Sequence, residues 1–200
     1  MALPAYETFT GTPTNVADRT GWATVVGAAT VFSGGGIAEA SVACLRWSGD
    51  TFANNQYALC TSVASGANTD QGAGVCVRAQ SGANSYYFVR FHTSRIKTGI
   101  MNAGTETVWD TSVSTRTAGY VLRLEISGTA ITSFYNGTQI YTTTDSTFSS
   151  GSAGIAFNGY NYADIIDDWE GGDIGAAAGH PTMLRWQGIP GMKYTGRKGW

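Results

Sequence analysis

Charge is scarce in this chain: 26 of its 200 residues are Asp, Glu, Lys or Arg, 13% where about 25% is usual. Solubility therefore rests on hydroxyls and amides, in a sequence rich in Thr, Ser, Gly and Ala, a profile common among extracellular and virion β-proteins. Histidine is scarcer still, with only His92 and His180, so a Ser–His–Asp or Cys–His site would have to use one of them as base. His92 falls at a strand end, where a polar edge residue is expected, and His180 precedes Pro181, where an extended turn is expected. Cys44, Cys60 and Cys76 are an odd set in alternating apolar segments, which argues against a disulfide framework and against a Cys-x-x-Cys zinc knuckle. They read as reduced thiols packed as small hydrophobes. No apolar run reaches the ~18 residues of a membrane span, and no basic stretch leading into an apolar run opens the chain. Synthesis in a cytosol and no membrane insertion are the expectations. The Gly34-Gly35-Gly36 run lacks a following Lys-Ser/Thr and helix, which excludes a phosphate cradle.

What is present is alternation. Short segments of period two end at Gly, Asn, Ser or Asp, the mark of an antiparallel all-β protein, and no helical period is found. Strands are predicted over 22–26, 28–32, 38–47, 56–64, 74–80, 85–93, 95–102, 106–111, 119–127, 130–135, 138–144, 154–157 and 163–170. Asn136-Gly137 between two such runs supplies the positive φ values of a type I′ hairpin. In 120–126, Tyr120, Leu122, Leu124 and Ile126 share one face, assigned to the core. So many short strands imply two packed sheets.

The charge is unevenly distributed. Residues 174–200 hold no acidic side chain and four basic ones, Arg185, Lys193, Arg197 and Lys198, while residues 1–173 carry a net −6. Glycines at 172, 175, 179, 188, 191, 196 and 199 would let this end fray unless a surface holds it. The expected organisation is a sandwich over 1–172 and an extended arm over 173–200, with Met183, Arg185, Trp186, Met192, Tyr194, Arg197, Lys198 and Trp200 as partner-binding residues, since aromatic, Met and Arg side chains dominate interface energetics. Only Arg197 and Lys198 are adjacent cations on an acidic body, so nucleic-acid binding is not expected.

The order of signals carries a resemblance: Phe9-Thr10-Gly11, the Trp22 strand, Gln56-Tyr57-Ala58, Gly74-Val75-Cys76-Val77-Arg78, Tyr86-Tyr87-Phe88, Leu122-Arg123-Leu124-Glu125-Ile126, Asn136-Gly137, Asp145-Ser146, Ser150-Gly-Ser-Ala-Gly-Ile155 and Asp167-Asp168-Trp169-Glu170. Over roughly residues 6–171 the chain resembles the concanavalin A-like, laminin-G-type jelly roll, of the kind found in carbohydrate-binding modules, lectins, glycan hydrolases and tailed-phage virion proteins. His180-Pro-Thr-Met-Leu-Arg-Trp and Gly196-Arg197-Lys198-Gly199-Trp200 are similar to short extensions on such phage proteins.

The resemblance implies an all-β, two-sheet antiparallel jelly-roll sandwich with a C-terminal arm. It also implies a phage virion structural protein, a capsid decoration or cement protein assembled in the bacterial host cytoplasm. Its partners would be the major capsid protein or other virion subunits, in a homo-oligomeric arrangement within the particle. The alternative is a tail-fibre or host-attachment module that binds surface glycans, with Tyr160, Asn161 and Tyr162 as the most site-like cluster and Tyr86, Tyr87 and Trp109 near loops or exposed faces; a degraded or unusual glycan hydrolase is the third reading. Hydrolases of this fold resemble one another in a Glu-x-Asp-x-x-Glu or Glu-x-Asp-x-Glu strand, and this chain has none. Its nearest group is Asp164, Asp167, Asp168 and Glu170, which alternation would place with Asp167 on one face and the other three on the opposite one, facing water or the basic arm. No catalytic residue and no enzyme activity are expected, and no cofactor. Calcium is the one metal left open, because laminin-G-type domains often bind it at the rim; Asp70 and Asp145 lie in suitable loops.

Overall fold

The structure is a computed structural model that describes residues 3–31, 36–38, 42–64, 72–92, 94–113, 117–158 and 165–175. Apart from a 3-10 turn at Val16–Asp18, the regular elements among the described residues are strands in two antiparallel sheets, the architecture of a jelly-roll sandwich. Among the described residues no helix is long and apolar enough to cross a membrane.

The first sheet runs β13 (Thr138–Thr144), β12 (Ala130–Tyr135), β11 (Val121–Ser127), β6 (Gln56–Ala64), β15 (Ile165–Asp173), β4 (Ile37–Ala38) and β3 (Thr30–Val31), and β1 (Ala5–Glu7) also pairs with β15. The second is seven-stranded: β10 (Thr105–Val113), β9 (Arg95–Asn102), β8 (Tyr86–His92), β7 (Gly72–Ala79), β14 (Ser152–Asn158), β5 (Ala43–Trp47) and β2 (Trp22–Val26). Asn136 and Gly137 take φ of 48° and 81° and join β12 to β13, as the sequence predicts.

The main core lies between the sheets. Leu122, Leu124 and Ile126 of β11 are fully buried there, with Val75, Val77, Val89, Ile155 and Ile166. At one end Trp22, Trp47 and Trp169 meet at ring centroids 4.8–5.6 Å apart. Arg78 closes another region: its Nε and Nη2 donate to the Asn54 carbonyl, Nη1 to Phe148 at 2.7 Å, and Nη2 also to Gly128 at 2.8 Å. One guanidinium thereby ties three connections with no carboxylate involved, and burial lowers its pKa.

Three expectations are corrected here. The segment 38–47 is not one strand, since Ile37–Ala38 joins the first sheet and Ala43–Trp47 the second. Tyr120 lies outside β11 and is 37% exposed, its ring packed 5.4 Å from that of Tyr135. In β15, Asp167 pairs with Thr61 and Glu170 with Leu59, a bulge of one extra residue. The bulge shifts the alternation by one, so Asp167 and Glu170 share the outer face while Trp169, 1% exposed, turns into the core.

Candidate functional site

β8 decides where the polar chemistry goes. Tyr87, Val89 and Phe91 fill the core between the sheets, so Tyr86, Phe88, Arg90 and His92 point the other way, onto the outer face of the seven-stranded sheet. All seven residues are buried. On that face Tyr86 and Phe88 join Cys44, Cys76, Ala79, Met101 and Ala156 in a second apolar cluster. Space for it comes partly from glycine: a Cβ on Gly99 would lie 2.8 Å from Phe88 Cζ and 2.3 Å from the Thr107 carbonyl. The Phe88 ring can therefore lie down over β9.

Arg90 stands in this cluster with its side chain fully buried. Its Nη2 donates to Glu106 Oε2 at 2.5 Å, and its Cζ sits 3.8 Å over the Phe88 ring. Asn158 Nδ2 donates to the same carboxylate oxygen at 2.8 Å. β10 and β14 are four strand steps apart, about 19 Å in a flat sheet. Glu106 and Asn158 meet only because the sheet curls and twists, so this diagonal of the outer face is concave. Arg90 Nε and Nη1 and the Tyr86 hydroxyl are buried without a hydrogen-bond partner. Burial, and secondarily the Cys44 thiol, push the Tyr86 pKa up, so the phenol stays neutral.

The two outer faces differ in charge. Strand alternation puts Arg46, Arg90, Arg95 and Lys97 on the seven-stranded face with Glu106 as the one carboxylate among its described strand residues. The opposite face carries Glu125, Asp167, Asp168 and Glu170 against Arg123. There Tyr57 donates a short hydrogen bond to Glu170, the Arg123 guanidinium covers the Tyr57 ring at 4.0 Å, and Asp167 accepts from the Phe9 amide at 2.9 Å. Each of these carboxylates has its own structural partner. Asp168, in the left-handed region at φ 49°, has its pKa raised by burial and then by Asp167.

Several expected site residues lie outside the described residues: Tyr160, Asn161, Tyr162, Asp70, Asp164, His180 and all of Met183, Arg185, Trp186, Met192, Tyr194, Arg197, Lys198 and Trp200. Tyr86 and Tyr87 are not near exposed surfaces but fully buried, because both faces of β8 are covered. His92 ends β8 as expected yet is fully buried as well. Trp109 is half-buried, its ring against Tyr87 at 5.9 Å. Asp145 is a turn residue, accepting from Tyr87 Oη at 2.6 Å and from the Thr147 amide at 2.7 Å. Among the described residues no three His, Cys, Asp or Glu side chains gather as a metal would need.

Sequence reading passed over Arg90, Glu106 and Asn158. The available signal was a charged residue inside Tyr-Tyr-Phe-Val-Arg-Phe-His, an otherwise unbroken apolar and aromatic run, because Arg is almost never fully buried unless paired.

A scan against protein-family models finds no match, and neither does a search of curated proteins. Solved structures share the fold. The carbohydrate-binding module CBM66 from Bacillus subtilis superposes with a TM-score of 0.59 at 17% identity, over 74% of this chain and 92% of its own. A β-1,3-1,4-glucanase (lichenase) from a mouse hindgut metagenome gives 0.56 at 12%, over 84% and 98%, and the Crh5 transglycosylase 0.56 at 11%, over 86% and 85%. At these identities the likeness establishes a concanavalin-like jelly-roll fold and nothing finer.

Proposed function

We propose that this chain is a glycan-binding module whose ligand sits on the outer face of the seven-stranded sheet. The observation that carries the reading is the concave diagonal on which the half-buried Lys97, Glu106 and Asn158 stand around the Arg90 guanidinium, whose remaining donors have no partner, with Tyr86 and Phe88 buried beneath. Sugar hydroxyls are recognised by fixed polar groups of this kind held on a concave surface. Fold neighbours named as a carbohydrate-binding module and as glycan-processing enzymes support it. Binding without hydrolysis is the proposed activity, because a glycosidase needs two carboxyl groups flanking the bond and this face offers Glu106 alone among its described strand residues, already paired with Arg90. The virion setting, whether shell decoration or host attachment, rests on the sequence resemblance and on residues 173–200; no feature of the described face favours it.

The test is isothermal titration of the full chain against a panel of neutral and acidic oligosaccharides, repeated with Asn158→Ala and Lys97→Gln. Binding by the wild type, weakened by either change with the melting temperature kept, is expected. Failure of every oligosaccharide to bind, or binding indifferent to both changes, would remove the reading.

A further inference from the structure

We infer that the ligand of this face is a carboxylated glycan, a chain containing uronic acids. The inference rests on the glycan-binding reading and adds the substrate class. Three observations carry it.

The first is the sign of the face. Among the described strand residues Arg46, Arg90, Arg95 and Lys97 outnumber Glu106 on this face of a protein whose total charge is −2, and the opposite face concentrates Glu125, Asp167, Asp168 and Glu170. The second is local: Arg90 and Lys97 are directly opposite each other on β8 and β9. Like charges in that position repel, and the half-exposed Lys97 has no ion pair with Glu106, which goes to Arg90. A second anion between them would relieve the repulsion.

The third is the state of the guanidinium. A carboxylate binds Arg two-pronged, through Nη2 with either Nε or Nη1. Glu106 holds Nη2 by one oxygen, and the other nitrogen of both edges, Nε or Nη1, is buried without a partner. The site is thus half-filled by the protein's own carboxylate. Glu106 is the accessible member of the pair, its side chain 21% exposed against none for Arg90, so a ligand carboxylate meets Glu106 first and reaches the guanidinium only as Glu106 swings off Nη2, which opens a second donor to it. Asn158, which holds Glu106 at 2.8 Å, remains for a neighbouring hydroxyl.

The experiment compares oligogalacturonate, oligoalginate and oligohyaluronate with their carboxyl-reduced counterparts, which keep the sugar backbone and lose the charge. At low salt at least one acidic oligomer should bind about tenfold or more tighter than its reduced form, with affinity falling as salt rises. Lys97→Gln, on a half-exposed side chain that should not disturb folding, weakens the acidic oligomer several-fold more than it weakens any reduced oligomer. Glu106→Gln, which keeps the hydrogen-bond geometry and removes the competing charge, tightens it. Equal or better binding of the reduced forms, or a Glu106→Gln variant that binds the acid more weakly, overturns the inference while the glycan-binding reading stands. Binding of none of the six overturns the inference, and the glycan-binding reading falls with it only if the wider oligosaccharide panel also fails to bind. Equal binding of a single-stranded oligonucleotide of matched charge also overturns it, since the face would then be reading charge alone.

Discussion

Cys44 and Cys76 place their sulfurs 3.6 Å apart on opposite sides of β14, and both are reduced and fully buried. The separation exceeds the ~2.05 Å of a disulfide, and Cys76 also donates to the Ile155 carbonyl at 3.7 Å. The expected free, buried thiols are therefore present in all three positions, with a pairing that an odd count in the sequence could not reveal. Burial first, and the contact with Cys76 second, push the Cys44 thiol up, so thiolate is scarce at neutral pH. A thiol-reactive dye should label Cys44, Cys60 and Cys76 slowly in the native protein and rapidly in denaturant. Fast native labelling of all three would contradict this packing.

Arg78, 2% exposed, should be a costly residue to lose. Arg78→Met strands the Phe148 carbonyl in the interior and releases the connections at Asn54 and Gly128, an expected loss of about 2–3 kcal/mol. Arg78→Lys should recover only part of it, because one ammonium cannot span three carbonyls. Urea denaturation of both variants measures the difference; equal stability of Arg78→Lys and wild type would show that charge, not the fork, is what the site needs.

Two glycines separate backbone conformation from crowding. Gly137 has φ 81° and nothing within 4 Å of an added Cβ, so Gly137→Ala should cost about 1 kcal/mol through the left-handed turn alone. On Gly74 the same methyl would lie 2.1 Å from the Val89 carbonyl and 2.7 Å from Arg90 Cα. Gly74→Ala should cost about 3 kcal/mol and disturb the Arg90 face as well. Thermal melts of the pair decide it, and a similar small loss in both would mean the sheet yields easily at β7.

Asp168 gives a pH test with a definite sign. Its pKa is raised by burial and by Asp167, so the folded chain binds this proton more tightly than the unfolded one. Stability then falls as pH rises from the usual ~3.9 through the raised value. Asp168→Asn keeps a residue tolerant of positive φ and removes the charge. The variant should be more stable than wild type at pH 7 and show no advantage near pH 3, read from denaturant midpoints at both. A gain of the same size at both values would place the cause outside the titration.

The sequence by itself determined the strands and much of their facing. Period-two alternation sets which side chains of β11 are buried, and the Asn136-Gly137 turn follows from two residues that accept positive φ. Burial of the three cysteines follows from their apolar neighbours. Each of these is a local property, fixed within a few residues by sterics or hydropathy. The sequence could not show that the run 38–47 is divided between two sheets, that a bulge re-phases β15 between Asp167 and Glu170, or that both sides of β8 are covered. Nor could it bring Glu106 to Asn158 across four strand steps. Those features depend on sheet order, twist and curl, which arise from the packing of strands distant in the chain. Alternation states which side of a strand a residue is on, and only the assembled sheet decides what that side meets.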